Sequence, residues 1–180
     1  SILEASVDTG EWPEIDGSAT TVELELVDMT ILGRGGDGGS DNGDFNFSTF
    51  DVKGKPGHRA LTARAALKLV SSFVGGGGGG GGAGVFDDGN TRNAGGGGGG
   101  AGRLPGLGGG DGAEDGTDLL GGNGNIGFTF TPPGGDGGDI GQPGMASSTG
   151  EEGGIAGVAI DGFSFVTVDA NSTVAGPTQN

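Results

Sequence analysis

The chain has 180 residues, of which 49 are Gly and 7 Pro, a composition that reads as low-complexity chain and argues against an ordinary globular enzyme. Leu, Ile, Val and Phe supply only about a fifth of the residues, so no large apolar core can form. Twenty-four acids against eight bases give a net charge of −16, which repels phosphate backbones and anionic lipid surfaces and excludes nucleic acid as a partner.

In chain order, the start Ser1-Ile-Leu-Glu-Ala5 has neither the basic nor the apolar region of a targeting segment. It also lacks an initiator Met, which reads as a trimmed or excerpted product. The first predicted strand spans 20–32: Val22, Leu24 and Leu26 alternate with Glu23 and Glu25, as in a half-buried strand. After Leu26 the apolar phase moves to Val27, Met29 and Ile31, which predicts a bulge or a change of packing partner. A second strand is predicted over 45–52, from Phe45, Phe47, Phe50 and Val52. Residues 61–74 fit a helix or a strand. A strand from Ala66 onward is preferred, because eight glycines follow, and these would dissolve a helix but can continue an extended chain. Twelve acids and one Arg precede residue 53. Lys53, Lys55, Arg59, Arg64 and Lys68 then follow without an acid, a basic stripe expected against an acidic neighbour, read either as a solvated strand face or as pairing between subunits.

Residues 75–157 hold 37 of the 49 glycines. Glycine loses more backbone entropy on ordering than any other residue, so order here needs a specific compensation. Extended three-residue helices rising about 3.1 Å per residue provide one, because their N–H and C=O groups point outward to neighbours. Without Cβ atoms such helices approach closely and can add Cα–H···O contacts. The runs 75–82, 95–100, 106–112, 121–124, 134–138 and 150–157 are short and separated by mixed segments, and Ser is absent from 73 to 146. That pattern suits rods and loops better than a flexible linker. Collagen is excluded by the lack of a strict Gly-X-Y period. The mostly-Gly stretch 69–86 is no membrane-spanning helix, so no membrane insertion is expected. With no Cys there is no disulfide framework.

The strand that enters pure glycine (Leu67-Lys-Leu-Val-Ser-Ser-Phe-Val-Gly75), the run Ala94-Gly-Gly-Gly-Gly-Gly-Gly-Ala-Gly102 and the closing Gly153-Gly-Ile-Ala-Gly-Val-Ala-Ile-Asp-Gly-Phe-Ser-Phe-Val-Thr-Val168 resemble the glycine-rich tail-fibre tip adhesins and tail-tip proteins of tailed bacteriophages. The resemblance covers roughly 67–180. It implies a mainly β fold with a polyglycine-II helix lattice, a glycine-rich sandwich with little or no α-helix. The expected organisation is an N-terminal β region for attachment or assembly (1–74), a glycine-rich domain with loops (75–157) and a short β tail (158–180). It further implies a non-enzymatic, extracellular virion protein that binds a host cell-surface receptor, an outer-membrane protein or a polysaccharide, through loops held by the rods. Other virion tail proteins, or copies of itself in a homotrimer, are the further partners. The alternative is a structural virion component, a head fibre or tail-tip subunit, that binds other virion proteins only. An ice-binding lattice is a third class, but regular Thr rows are missing.

Catalytic chemistry finds little support. His58 is the only His, no Gly-x-Ser-x-Gly elbow or phosphate-binding loop is present, and no cofactor is called for. Asp87, Asp88, Asp111, Glu114, Asp115 and Asp118 lack the spacing signature of a glycosidase pair. Asp37, Asp41 and Asp44 read either as a hard-ion site for Ca2+ or as a polar loop, and the polar loop is preferred, with no metal assigned. Phe86, Phe128 and Phe130 either close the ends of the lattice or act as exposed anchors. The receptor-binding candidates are Phe86, Asp87, Asp88, Arg92, Leu104, Leu120, Phe128 and Phe130, from loops at 85–93, 103–107, 113–120 and 128–133.

Overall fold

The computed structural model describes residues 24–40, 51–87, 92–110, 112–125 and 131–180. These form a β module and a lattice of glycine-rich rods. In the module three chain segments run side by side and parallel. Strands β1 (Leu24–Val27), β4 (Leu67–Val70) and β9 (Val166–Val168) form one sheet in the order β1-β4-β9. The same three segments continue as β2 (Thr30–Leu32), β5 (Phe73–Gly75) and β10 (Thr173–Ala175), with β5 again central. A third sheet holds β3 (Leu61–Thr62), β8 (Ile160–Asp161) and β11 (Thr178–Gln179), with β8 central. Residues 163–165 between β8 and β9 make a short 3-10 turn, and no α-helix occurs among the described residues.

The phase change after Leu26 is a kink between two sheets. Asp28 takes φ 53 and Ser71, in the neighbouring segment, φ 50, left-handed values that cost a residue with a Cβ about 1–2 kcal/mol. Ser72 stabilises the break. It is 2% exposed, its hydroxyl accepts the Met29 N–H at 3.1 Å, and it lies within bonding distance of the Leu26 and Val70 carbonyls. On either side of the kink, Leu26, Ile31, Leu67, Leu69, Val74 and Ile160 are buried in one small core. The preferred strand from Ala66 onward is therefore β4 and β5. The predicted 45–52 strand lies outside the described residues up to Phe50. Asp51 bridges to Ser40.

The basic stripe pairs within the chain. Lys68 reaches Glu25 at 2.6 Å across the β1–β4 register, Lys53 reaches Glu152 at 2.9 Å, and Lys55 pairs with Asp51. The Asp161 side chain, 13% exposed, sits between the guanidinium groups of Arg59 (2.8 Å) and Arg64 (3.1 Å), which tie β3 to β8.

Beyond the module the chain makes extended segments, here rods 1 to 10: 33–40, 52–60, 75–83, 95–102, 103–110, 113–117, 119–125, 132–139, 142–147 and 151–159. Hydrogen bonds from rod 3 change partner with a period of three. Gly77 and Gly80 donate to rod 2, Gly78 and Gly81 to rod 4, Gly79 and Gly82 to rod 9. Their carbonyls accept with the same period, from rod 10 (Gly157, Gly154), rod 1 (Gly36, Gly39) and rod 8 (Gly138, Gly135). Rod 3 is therefore ringed by rods 1, 2, 10, 9, 8 and 4, alternately acceptor and donor. Every backbone N–H and C=O from 77 to 82 is satisfied at 2.7–3.0 Å, the accounting a buried backbone requires.

Rod 4 repeats the arrangement within rods 1, 5, 6, 7, 8 and 3. The two rings share rods 1 and 8, which fixes the packing as three layers: rods 2-1-5, rods 10-3-4-6 and rods 9-8-7. Glycine is what permits it. A Cβ on Gly78 would fall under 3.0 Å from the Gly138 carbonyl, and one on Gly98 under 3.0 Å from the Gly122 carbonyl. Rods 1 and 2 come from before residue 75, and they follow the same rule at Gly36, Gly39, Gly54 and Gly57.

Candidate functional site

The hydrogen-bond registers give each rod a direction. Odd-numbered rods run away from the β module and even-numbered rods return. The described ends at which rods 1, 3, 5, 7 and 9 stop and rods 2, 4, 6, 8 and 10 start therefore all lie at one end, the distal end. The turns from rod 4 to 5, 6 to 7 and 8 to 9 lie at the proximal end beside the module.

At the distal end, rods 3 and 4 continue into an antiparallel hairpin, β6 (Gly84–Asp87) and β7 (Arg92–Gly95), with Gly84 opposite Gly95 and Asp87 opposite Arg92. Its base rests on the Pro132 carbonyl, which a Cβ at either Gly84 or Gly95 would strike. Rods 9 and 10 are joined by a compact turn at 147–151. Ser147 N–H donates to the Glu151 carbonyl at 2.9 Å, Gly150 N–H to the Ser147 carbonyl at 3.0 Å, and Glu151 N–H to the Ser147 hydroxyl at 3.1 Å. This turn grips both neighbours: Ser148 donates its N–H and hydroxyl to the Pro133 carbonyl, and the Thr149 hydroxyl accepts the Val85 N–H at 3.0 Å. Gly110, Gly112 and Gly150 take left-handed φ of 103, 82 and 90 at distal turns.

This geometry divides the predicted site residues. Phe86, half-buried, lies in the distal hairpin. Asp87 and Arg92 pair in backbone register across it. Asp88, Phe128 and Phe130 lie outside the described residues. Leu104 and Leu120, 43% and 60% exposed, sit at the proximal end, in the turn entering rod 5 and in the Thr117–Leu120 turn closed by a Thr117 N–H to Leu120 carbonyl bond. They are not brought together with Phe86. The Ser147-Ser-Thr-Gly-Glu151 turn was missed, although a Ser/Thr cluster before a Gly is a turn signal.

The acids of the lattice have a structural task that the sequence did not reveal. Outer rods point N–H groups where no further rod follows among the described residues, and carboxylates accept them: Asp37 from Leu107 (3.0 Å), Asp115 from Gly108 (2.8 Å), Asp139 from Gly121 (3.0 Å) and Asp136 from Gly124 (2.8 Å). Glu114 takes the Asn123 side-chain amide at 2.7 Å. Asp37, the first residue of the suggested hard-ion loop, is thus a lattice cap that also faces Arg34 at 3.8 Å. Asp41 and Asp44 lie outside the described residues. His58 serves through its backbone, donating to Arg34 and accepting from Gly77. Glu152 is held below the usual carboxylate range, and Lys53 above the usual amine range, by their mutual hydrogen bond and charge. No Lys or Arg follows Arg103.

The family model of the phage tail fibre adhesin Gp38 matches residues 1–179. The chain belongs to the phage tail fibre adhesin Gp38 family. That membership makes it a component of the virion, and the resemblance drawn from the glycine runs is borne out. A solved structure described as the crystal structure of the gp37-gp38 adhesin tip complex of the bacteriophage S16 long tail fiber is similar over 92% of this chain, at 28% identity and a TM-score of 0.62. The chain spans 62% of the length of that relative. No curated protein matches it. Among the described residues no helix is long and apolar enough to cross a membrane.

Proposed function

We propose that this Gp38-family chain binds a host cell-surface receptor, an outer-membrane protein or polysaccharide, through its distal end, and that its opposite end faces the tail fibre. The observation that carries this reading is the sorting of rod ends: five outgoing rods stop, and five returning rods start, at the end far from the β module. Rods of polyglycine-II type, which the three-residue period supports, would hold those connections rigid, so that binding orders little further chain. Scaffolded loops of this kind commonly carry recognition. Repetition around the fibre axis, as in a homotrimer, would add avidity without new contacts.

The S16 structure contains a second tail-fibre protein, gp37, which supports a fibre partner for this chain. The exposed proximal side chains Leu104 and Leu120 then belong with the fibre, and Phe86, Asp87 and Arg92 with the receptor. Exchanging the hairpin tip (88–91) while keeping the rods should leave particle assembly intact and abolish or redirect adsorption. Normal adsorption with an exchanged tip and exchanged 126–131 and 147–151 connections would overturn the reading. Failed assembly in all three exchanges would favour a purely structural virion part.

A further inference from the structure

The geometry points to Thr149 as a positioning residue for the distal hairpin: its hydroxyl holds the edge of β6 and sets the direction in which β6 and β7 leave the lattice. The inference rests on the adhesin reading and names how that site is fixed.

Rod contacts end where the hairpin begins. Rod 3 gives its last inter-rod N–H bond at Ala83, to Val52, and rod 4 accepts its first at Gly96, from Asn125. Beyond these points β6 and β7 have each other, and a two-stranded hairpin alone is marginal in water and has no defined direction. Contacts that aim it come from two sides: the Pro132 and Pro133 carbonyls beneath Gly84, the first also beneath Gly95, and the Thr149 hydroxyl accepting from Val85. The first is a floor. The second is lateral, and it comes from a turn whose own position is fixed, because Ser147 is 8% exposed and makes four hydrogen bonds within the turn, one of them between its hydroxyl and that of Thr149, and Ser148 is bonded twice to Pro133.

Ser148 serves the lattice through Pro133, whereas among the described residues no rod backbone group bonds the Thr149 hydroxyl. A Cβ at Gly150 would meet no atom within 4 Å, so that position of the apex is open. The Thr149 hydroxyl lies 3.2 Å from the Ser147 hydroxyl within the turn, and its bond that reaches outside the turn goes to the hairpin, at Val85. Because the same turn also holds Pro133 at the re-entry to rod 8, the hairpin, the 131–133 segment and the 147–151 turn form one platform.

The test compares phage carrying Thr149→Val, which keeps shape and loses the acceptor, with Thr149→Ser, which keeps it. A net hydrogen bond corresponds to roughly a two- to ten-fold change. Thr149→Val should slow adsorption by about that factor and speed amide exchange at Val85 similarly. Particle yield and melting temperature should stay at parental values, and Thr149→Ser should restore both readouts. Parental adsorption by Thr149→Val, in a phage whose adsorption is lost when the 88–91 tip is exchanged, would overturn this inference and leave the adhesin reading standing. Parental adsorption after the tip exchange itself would overturn the hairpin's part in the adhesin reading, and this inference with it. A lowered melting temperature with fewer assembled particles would assign Thr149 a structural role and refute the inference.

Discussion

The β module and the rod lattice solve the same problem with opposite means. The module buries side chains: Leu67, Leu69, Val74 and Ile160 are at most 1% exposed, and their removal from water holds the sheets together. The lattice has almost no side chains to bury. It closes its interior with backbone hydrogen bonds, and it can do so only because nothing projects from Cα. The lesson is that a small apolar allotment need not leave a chain unfolded when the backbone itself is the buried, fully paired material.

The sharpest way to break that comparison is one methyl group. Gly78→Ala places a Cβ against the Gly138 carbonyl, where both neighbours are backbone, and should cost more than about 4 kcal/mol, a range reached only by severe packing faults. Gly150→Ala, with open space but φ 90, should cost about 1–2 kcal/mol. Urea unfolding of the two variants measures the gap, and equal costs would mean that the rods are not packed.

In the module the largest single effect should come from deletion, not addition. Leu69→Ala, at a side chain 0% exposed, should cost about 2–5 kcal/mol. Ser72→Ala removes the acceptor of the Met29 N–H at the kink and should cost about 1–3 kcal/mol. Thermal melts of both check the order.

How far the fold could be read in advance follows the same division. The period-two runs at Leu24–Leu26 and from Leu67 onward gave the module strands, and the slip after Leu26 marked the kink, since one left-handed residue at Asp28 is enough to swap faces. Glycine runs marked the rods. What could not be read is which rod meets which, because Gly135 and Gly98 are alike as residues and only three-dimensional register pairs them. Gly54 and Gly57, isolated in mixed sequence, did not announce that rod 2 joins the lattice, and the acid beside Gly36 and Gly38 made rod 1 read as a polar loop. Of the site candidates, Phe86, an aromatic among polar residues, lies in the distal hairpin. Exposure-prone Leu104 and Leu120 looked equivalent because the direction of each rod decides to which end a turn goes. The caps at Asp115, Asp136 and Asp139 were invisible, since an acid that accepts a backbone N–H has the same sequence signature as one facing water.

The smallest expected effect concerns pH. Asp169 is held below the usual carboxylate range, chiefly by the Ser172 hydroxyl and then by backbone N–H groups of Ser71, Asn171 and Ser172. A depressed carboxyl stabilises the folded chain above its unfolded pKa, and that contribution is lost as pH falls through the folded value. Asp169→Asn should therefore lower the melting temperature slightly at pH 7 and not at all once the pH is below the folded value. An equal shift at both pH values would contradict the assignment.

The central claim, that glycine backbone forms a paired and packed lattice, is tested most directly by residue-resolved amide exchange on the purified protein. The N–H groups of Gly77 to Gly82 should exchange far more slowly than coil, because each has a partner in a neighbouring rod. Those of Gly153 and Ala156 on rod 10, which have none among the described residues, should exchange near coil rates. Coil-like exchange throughout 77–82 would contradict the lattice.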